Sequence, residues 1–214
     1  MSLPASTKAV IFDMDGVLWL SSPNHARAYR EALERVNVFD FEYAQYAGMR
    51  TVECLERVFE ERGITITEAT IAELAEEKNR LAVESLRRDP PVSPGCGQVL
   101  SRLRAKYRLA LATSASPNTM EVFLEASGSR ALFSILLCGR SVERPKPAPD
   151  IYLKAAELLG VEPGCTVVVE DAVAGVQAGK SAGAQVWALP TTSAAADLMA
   201  AGADRVIESL EGLL

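Results

Sequence analysis

Histidine is almost absent from the 214-residue sequence: His25 is the single one. A metal centre built on several imidazoles is therefore impossible, and a Ser-His or Cys-His nucleophile has only one place to form. The four cysteines, Cys54, Cys96, Cys138 and Cys165, lie far apart and lack the paired spacing that holds zinc or runs a dithiol cycle. They are expected as reduced, mostly buried thiols. No apolar run approaches the ~20 residues of a membrane span. The opening "MSLPASTK" leads only into a short apolar run, without the basic start and continuous apolar stretch of a secretory signal. Basic residues are also in deficit, with 22 Lys and Arg against 28 Asp and Glu and a net charge of −6. Sequence-independent nucleic-acid binding needs clustered cations to replace counterions. Neither nucleic acid nor a membrane is expected as a partner, and the chain is expected in the cytoplasm. With imidazole and thiolate sites set aside, any metal must be held mainly by oxygen, which favours a hard ion such as Mg²⁺.

What the chain does have is apolar residues, 49% of the total, enough to bury a full core. After residue 92, short β-rich runs alternate with amphipathic segments. The runs are "RLALAT" (108–113), "SILLCG" (134–139), "TVVVED" (166–171), "QVWALP" (185–190) and "RVIES" (205–209). Between them, "VLSRLRAK", "TMEVFLEAS", "DIYLKAAELLG" and "AVAGVQAGKSAG" carry helical apolar spacing. With "AVIFD" near the start, this alternation predicts an α/β fold, a Rossmann-like doubly wound parallel sheet with helices on both faces. Residues 20–91 break the rhythm: three segments of helical period and no convincing strand, ending at the proline-rich "DPPVSPG". The expected organisation is a core from residues 1–19 and 92–214, with 20–91 as an inserted α-helical cap. Ligands of open parallel sheets lie beyond the carboxyl ends of the strands, so an insertion there is placed to cover the site.

Four features fall at the predicted strand ends or just after them: Asp13 and Asp15, Thr113 and Ser114, Lys146, and Glu170 with Asp171. Each alone has a structural explanation. An Asp can cap a turn, Thr-Ser can cap a helix, Lys146 between prolines can be a solvated loop lysine, and Glu170-Asp171 can cap the next helix. Four independent caps have no reason to be an acid pair, a hydroxyl, a cation and another acid pair along one sheet edge.

In this order and at these spacings, "DMDGVL", "LALATS", "KPAPDIY" and "VVVEDAVAGVQAGKSAGA" resemble the four motifs of the haloacid dehalogenase superfamily, in its branch with a helical cap. The resemblance covers essentially the whole chain. It implies Mg²⁺-dependent phosphoryl transfer in which Asp13 attacks phosphorus to form an aspartyl phosphate. Asp15 then serves as acid and base in turn, Lys146 offsets the developing negative charge, and Thr113 or Ser114 donates a hydrogen bond to a phosphoryl oxygen. Asp171 with Glu170 completes the metal site beside Asp13 and the main-chain carbonyl of Asp15. Gly16 permits the tight turn below the phosphate. The second acid, Asp15, disfavours dehalogenation and phosphonate cleavage within the superfamily.

The chain is similar in particular to β-phosphoglucomutase and its sugar-phosphatase relatives. That similarity implies that His25 positions Asp15, that Lys78 and Asn79 in "EEKNRL" meet the substrate, and that Ser116 and Asn118 belong to a phosphate-side loop. "GMRT" puts Thr51 where the mutase has a phosphate-binding arginine, with Arg50 adjacent. Each of these residues also reads as an ordinary residue of an amphipathic helix or turn, and Trp19 and Tyr46 are candidates for shaping a pocket. Leu20 and Pro145 depart from the family pattern and leave every motif side chain in place. The resemblance implies a phosphatase acting on a small phosphorylated metabolite such as a sugar or polyol phosphate, as a monomer or weak dimer. A phosphosugar mutase is the alternative. A non-catalytic binding protein comes third, because it predicts a damaged motif acid and all are intact.

Overall fold

Alternation along one short strand sets up the two faces of the molecule. In the computed structural model, which describes residues 3–214, Ala9–Phe12 form β1. Val10 and Phe12 enter one apolar cluster, and Ala9 and Ile11 enter another, as the two-residue period of a strand requires. β1 pairs in parallel with Arg108–Ala112 (β2) on one side and Thr166–Glu170 (β4) on the other. Ile135–Leu137 (β3), Gln185–Ala188 (β5) and Arg205–Val206 (β6) complete a six-stranded parallel sheet of order β3-β2-β1-β4-β5-β6. The winding reverses between β1 and β4, so the loops leaving these two strands diverge and open a crevice at their carboxyl ends. Asp13 and Asp171 stand on either side of it.

Cys96–Arg104 (α4) and Pro117–Ser127 (α5) cover the Val10/Phe12 face through residues such as Leu100, Leu103 and Phe123. Asp150–Leu159 (α6) and Val173–Ser181 (α7) cover the opposite face through Ile151, Tyr152, Ala155 and Val176, and Ala195–Ala200 (α8) adds Leu198. Buried on both sides, the central strands read as continuous apolar runs.

Between β1 and β2 the chain forms Ser22–Glu34 (α1), Thr51–Glu61 (α2) and Glu68–Arg88 (α3). These helices bury a separate cluster that includes Tyr29, Leu33, Phe41, Leu55, Phe59 and Leu74. Their connections to the sheet run side by side. Trp19 bridges antiparallel to Val92, the Leu20 amide donates to the Pro91 carbonyl at 2.7 Å, and the Ser93 amide donates to the Leu18 carbonyl at 2.9 Å. The helical unit thus hangs from a paired neck beside the crevice.

Two residues expected to shape a pocket do otherwise. Trp19 is buried in the neck, edge-on to Phe123 at 5.4 Å between ring centres. Tyr46 stacks on Phe41 at 5.3 Å inside the helical cluster and donates its hydroxyl to Glu61. Each finds an apolar bed and a polar partner, Trp19 in the half-buried Asp15 and Tyr46 in the exposed Glu61, which amphipathic aromatics need when buried. All four cysteines are free: Cys54 and Cys96 are buried, Cys138 and Cys165 half-buried. Among the described residues, no helix is long and apolar enough to cross a membrane.

Candidate active site

The first acid is held by the sheet itself. The Asp13 amide continues the ladder, donating to the Val169 carbonyl at 2.9 Å, which fixes its side chain at the crevice. Its Oδ1 accepts from Lys146 Nζ at 2.6 Å, and the same ammonium donates to Glu170 Oε1 at 2.6 Å and the Ala112 carbonyl at 3.3 Å. Lys146 is 2% exposed and lies 4.9 Å above the Tyr152 ring. Glu170 is fully engaged: Tyr152 donates its hydroxyl to Oε1 at 2.5 Å, and the amides of Asp171 and Ala172 approach Oε2 at 3.0 and 3.4 Å. Gly16, at φ +76, is required by the crowding beyond, since a Cβ there would fall 1.8 Å from Asp171 Oδ2. Thr191 donates to the Gly16 carbonyl at 2.5 Å and also reaches Asp171 Oδ2 at 3.4 Å.

Asp13, Glu170 and Asp171 offer carboxylate oxygens that all lie within 4.8 Å of one another, and all three are buried. Burial pushes the Asp13 carboxyl up to about 7, with Lys146 pulling it down and Glu170 adding to the rise. Burial, then Glu170 and Asp13, also raise Asp171 well above the usual carboxylate range. Burial works against the Lys146 ammonium, but Asp13 and Glu170 outweigh it and hold its pKa above the ordinary lysine value. One lysine against three buried acids leaves an excess of negative charge. An all-oxygen donor set carrying that excess suits a hard divalent cation, and Asp13 and Asp171 are the members whose oxygens are least committed to other partners.

Asp15 is turned away from this trio. Its Oδ1 accepts from Trp19 Nε1 at 2.8 Å, Ser21 Oγ at 2.6 Å and His25 Nε2 at 2.8 Å. Burial alone would raise its pKa, but His25 and these donors outweigh that and hold it well below the usual range. His25 is itself pushed below its ordinary value by burial and by Lys78. The consistent state is a neutral ring whose Nε2–H donates to Asp15 while Nδ1 faces Lys78 Nζ at 3.2 Å. Burial lowers Lys78 to about 8, and its ammonium lies 4.4 Å over the Tyr29 ring. Because His25 sits on α1 and Lys78 on α3, this hydrogen-bonded line runs from the helical unit to the sheet edge.

The helical unit is down on the crevice. The cavity left between them has a volume of about 40 Å³ and opens to the outside, with room for water. Asp13, Asp15, His25, Lys78, Thr113, Ser114 and Asp171 line it, and Thr51, Asn79 and Ser116 lie where it meets an outer groove of about 1040 Å³. Thr113 folds back on its own backbone, Oγ1 accepting from the Ala115 amide at 3.0 Å, whereas Ser114 Oγ donates across the seam to the Gly48 carbonyl at 2.6 Å. Thr51 donates to Asn79 Oδ1 at 3.1 Å, and Ser116 caps α5 by accepting from the Thr119 amide. Lys146 and Glu170 lie beneath the cavity. Asn118 lines only the groove, and Arg50 reaches away from the cavity to carbonyls of the loop after β3.

The sequence reading missed several participants. Ser21 precedes His25 by one helical turn, a spacing that puts both on one side of Asp15. Tyr152 falls on the buried face of α6, where a hydroxyl must find a partner. Tyr43, which lines the cavity and stacks on His25 at 6.2 Å, carries no such signal.

A sequence profile of the haloacid dehalogenase-like hydrolases matches residues 7–183. The chain is 35% identical over 179 residues to a phosphorylated carbohydrates phosphatase of Thermotoga maritima, covering 82% of each. It is 33% identical over 184 residues to a β-phosphoglucomutase of Bacillus subtilis, covering 82% of this chain and 80% of that one. Among solved structures, β-phosphoglucomutase from Clostridium difficile matches with a TM-score of 0.85 at 26% identity, over 97% of this chain and 93% of that one.

Proposed function

Because the chain belongs to the haloacid dehalogenase-like hydrolase family, we propose that it is a Mg²⁺-dependent phosphatase that releases phosphate from a small sugar or polyol phosphate, with Asp13 as its nucleophile. The observation that carries this reading is the arrangement at the crevice: Asp13 holds Lys146 at 2.6 Å inside a trio of buried acids, while Asp15 stands apart with its own donors. Asp13 and Asp171 would hold the cation, with the main-chain carbonyl of Asp15 and with Glu170 behind them. When bound, it supplies positive charge that lets an anionic carboxylate approach an anionic phosphate.

The chain's own residues divide the remaining work. One oxygen of Asp13 is tied to Lys146, and the other attacks phosphorus. The Asp13–phosphorus bond forms, the ester bond breaks, and the proton that enters on the phosphate monoanion passes through Asp15 to the leaving oxygen. In the second half Asp15, now anionic, takes a proton from water as that water attacks phosphorus, which frees Asp13 and yields inorganic phosphate. Thr113 or Ser114 is the donor to a phosphoryl oxygen: the Thr113 hydroxyl proton is uncommitted, and that of Ser114 is free once its bond to the Gly48 carbonyl opens. Residues 20–91 act as a cap, since the His25–Asp15 contact that sets the acid-base group exists only with α1 in place.

The test is a panel of phosphorylated metabolites with Mg²⁺, scored for both free phosphate and isomerised product. The wild type releases phosphate and Asp13→Asn abolishes turnover. Wild-type rates in that variant would exclude Asp13 as nucleophile. One observation favours the mutase instead: the chain is 33% identical to a β-phosphoglucomutase of Bacillus subtilis, a type of enzyme that must retain its bisphosphate intermediate and exclude water. β-Glucose 1-phosphate with a trace of its bisphosphate decides between the two, because glucose 6-phosphate without matching free phosphate overturns the phosphatase reading.

A further inference from the structure

Arg50 stands next to the position at which a phosphate-binding arginine was expected, yet both of its terminal nitrogens donate elsewhere. Its Nη1 donates to the carbonyls of Gly139 at 3.1 Å and Val142 at 3.3 Å, and its Nη2 donates to the Glu143 carbonyl at 2.6 Å. Glu53, in the first turn of α2, forms an ion pair with Nε at 2.8 Å, a contact of charge without a hydrogen bond from that nitrogen. From this geometry we infer that Arg50 is a positioning residue, a latch that holds the helical unit closed and steadies the loop carrying Lys146, and that it does not contact the substrate.

Three neighbouring carbonyls on one turn are bridged by one rigid guanidinium, a task that suits its planar fork and that a single ammonium cannot copy. The turn is fixed from its other side as well, since Lys154 on α6 donates to the Ser141 carbonyl at 2.5 Å. Residues 139–143 are thus clamped between a cation of the helical unit and a cation of the sheet layer. Lys146 follows three residues later and reaches Asp13 and Glu170 from there. The latch does not act alone. Gly48, at φ +83, packs so closely that a Cβ would lie 3.2 Å from the Ala172 Cβ, and its carbonyl accepts from Ser114. The segment 48–50 therefore touches the chain after β2, after β3 and after β4, the same three strand ends that supply Ser114, Lys146 and Asp171.

The consequence for substrate class rests on the phosphatase reading. The cavity continues into the outer groove, and while the latch holds, Arg50 stays on backbone carbonyls. The lining away from the acids then includes Tyr43, Thr51 and Asn79 with the Lys78 ammonium. Arg50 itself offers nothing to a second phosphate, so sugar monophosphates and bisphosphates depend on it alike.

The experiment compares the full-length wild type with Arg50→Ala and Arg50→Lys, all with Mg²⁺, by amide hydrogen exchange and by phosphate release from a sugar monophosphate and a sugar bisphosphate. Both variants are expected to exchange faster in segments 47–50 and 139–146 together, by about tenfold, while β1 and α6 keep their protection; that factor is about what one charge-assisted hydrogen bond is worth. Where turnover is measured, kcat falls by a similar factor for both substrates and Lys does not rescue it. Unchanged exchange in 139–146, rescue by Lys to within about twofold of wild type, or a loss confined to the bisphosphate would overturn the latch. Faster exchange throughout the sheet would do so too, since Arg50 would then be a general structural residue. Should no compound be hydrolysed, the exchange data alone still decide the inference, and the phosphatase reading fails separately.

Discussion

Replacing Lys146 by methionine removes one charge from the middle of the acidic cluster while keeping most of the aliphatic stem. The Nζ atom makes bonds of 2.6 Å to both Asp13 and Glu170 in a buried position, and taking one partner out of a buried ion pair costs about 3–5 kcal/mol. The cluster has one way to relieve that cost, which is to bind protons. The Asp13 carboxyl already sits at about 7 against an ordinary 3.8, and Asp171 is raised as well. A carboxyl raised on folding contributes stability that is fully present below its unfolded pKa and is lost as pH climbs through the folded value. For Asp13 in the metal-free wild type, that loss amounts to at most about 4 kcal/mol between pH 4 and pH 8. Without Lys146 the folded-state pKa rises further. The variant therefore falls less below wild type at pH 5, where Asp13 is protonated and the Lys146–Glu170 bond is what is lost, than at pH 8, where the loss is about 3–5 kcal/mol. Urea unfolding followed by circular dichroism, in EDTA at both pH values and then with Mg²⁺, measures this directly, and Mg²⁺ should narrow the gap at pH 8. An equal loss at pH 5 and pH 8 would refute the electrostatic argument and assign the effect to packing of the lysine stem.

The sheet was legible because its physics is local. Val167, Val168 and Val169 are apolar in succession, as a strand covered on both faces must be, and the helices after residue 92 show their period clearly. Legibility faded at the rim: "RVIES" pairs only over Arg205–Val206, since an edge strand has a neighbour on one side and Ile207 turns into the core. The strand-end residues could be named because a parallel sheet forces every carboxyl end to one edge, so Asp13, Ser114 and Asp171 meet whatever the loops do. Contacts from the helical unit depend instead on how three helices dock, which no local pattern encodes. That is why Arg50 lies outside the cavity while His25 and Lys78 lie inside it. Thr113 and Ser114 could not be told apart in the sequence for a similar reason. They are adjacent hydroxyls, and only the positions of the Ala115 amide and the Gly48 carbonyl separate them.

Gly16→Ala combines a left-handed φ with a Cβ 1.8 Å from Asp171 Oδ2, so the carboxylate must move. Isothermal titration should show Mg²⁺ affinity lowered by about 10- to 100-fold, and unchanged affinity would mean that Asp171 is not a ligand. Trp19→Phe keeps a ring against Phe123 and removes one N–H from Asp15, leaving Ser21 and His25 as donors. Because the Asp15 pKa is depressed in the fold, its contribution is present above the unfolded value near 3.8 and lost as pH falls through the folded one. Losing a donor to the anion raises the folded pKa and should cost about 1.5–3 kcal/mol at pH 7, with the gap from wild type closing in acid. In turnover, Asp15 must be anionic to take the proton from water, so the acidic limb of the pH–rate profile should move to higher pH. An acidic limb that stays in place while stability falls would separate the two effects, leaving Trp19 a packing residue and assigning the second proton transfer to a group other than Asp15.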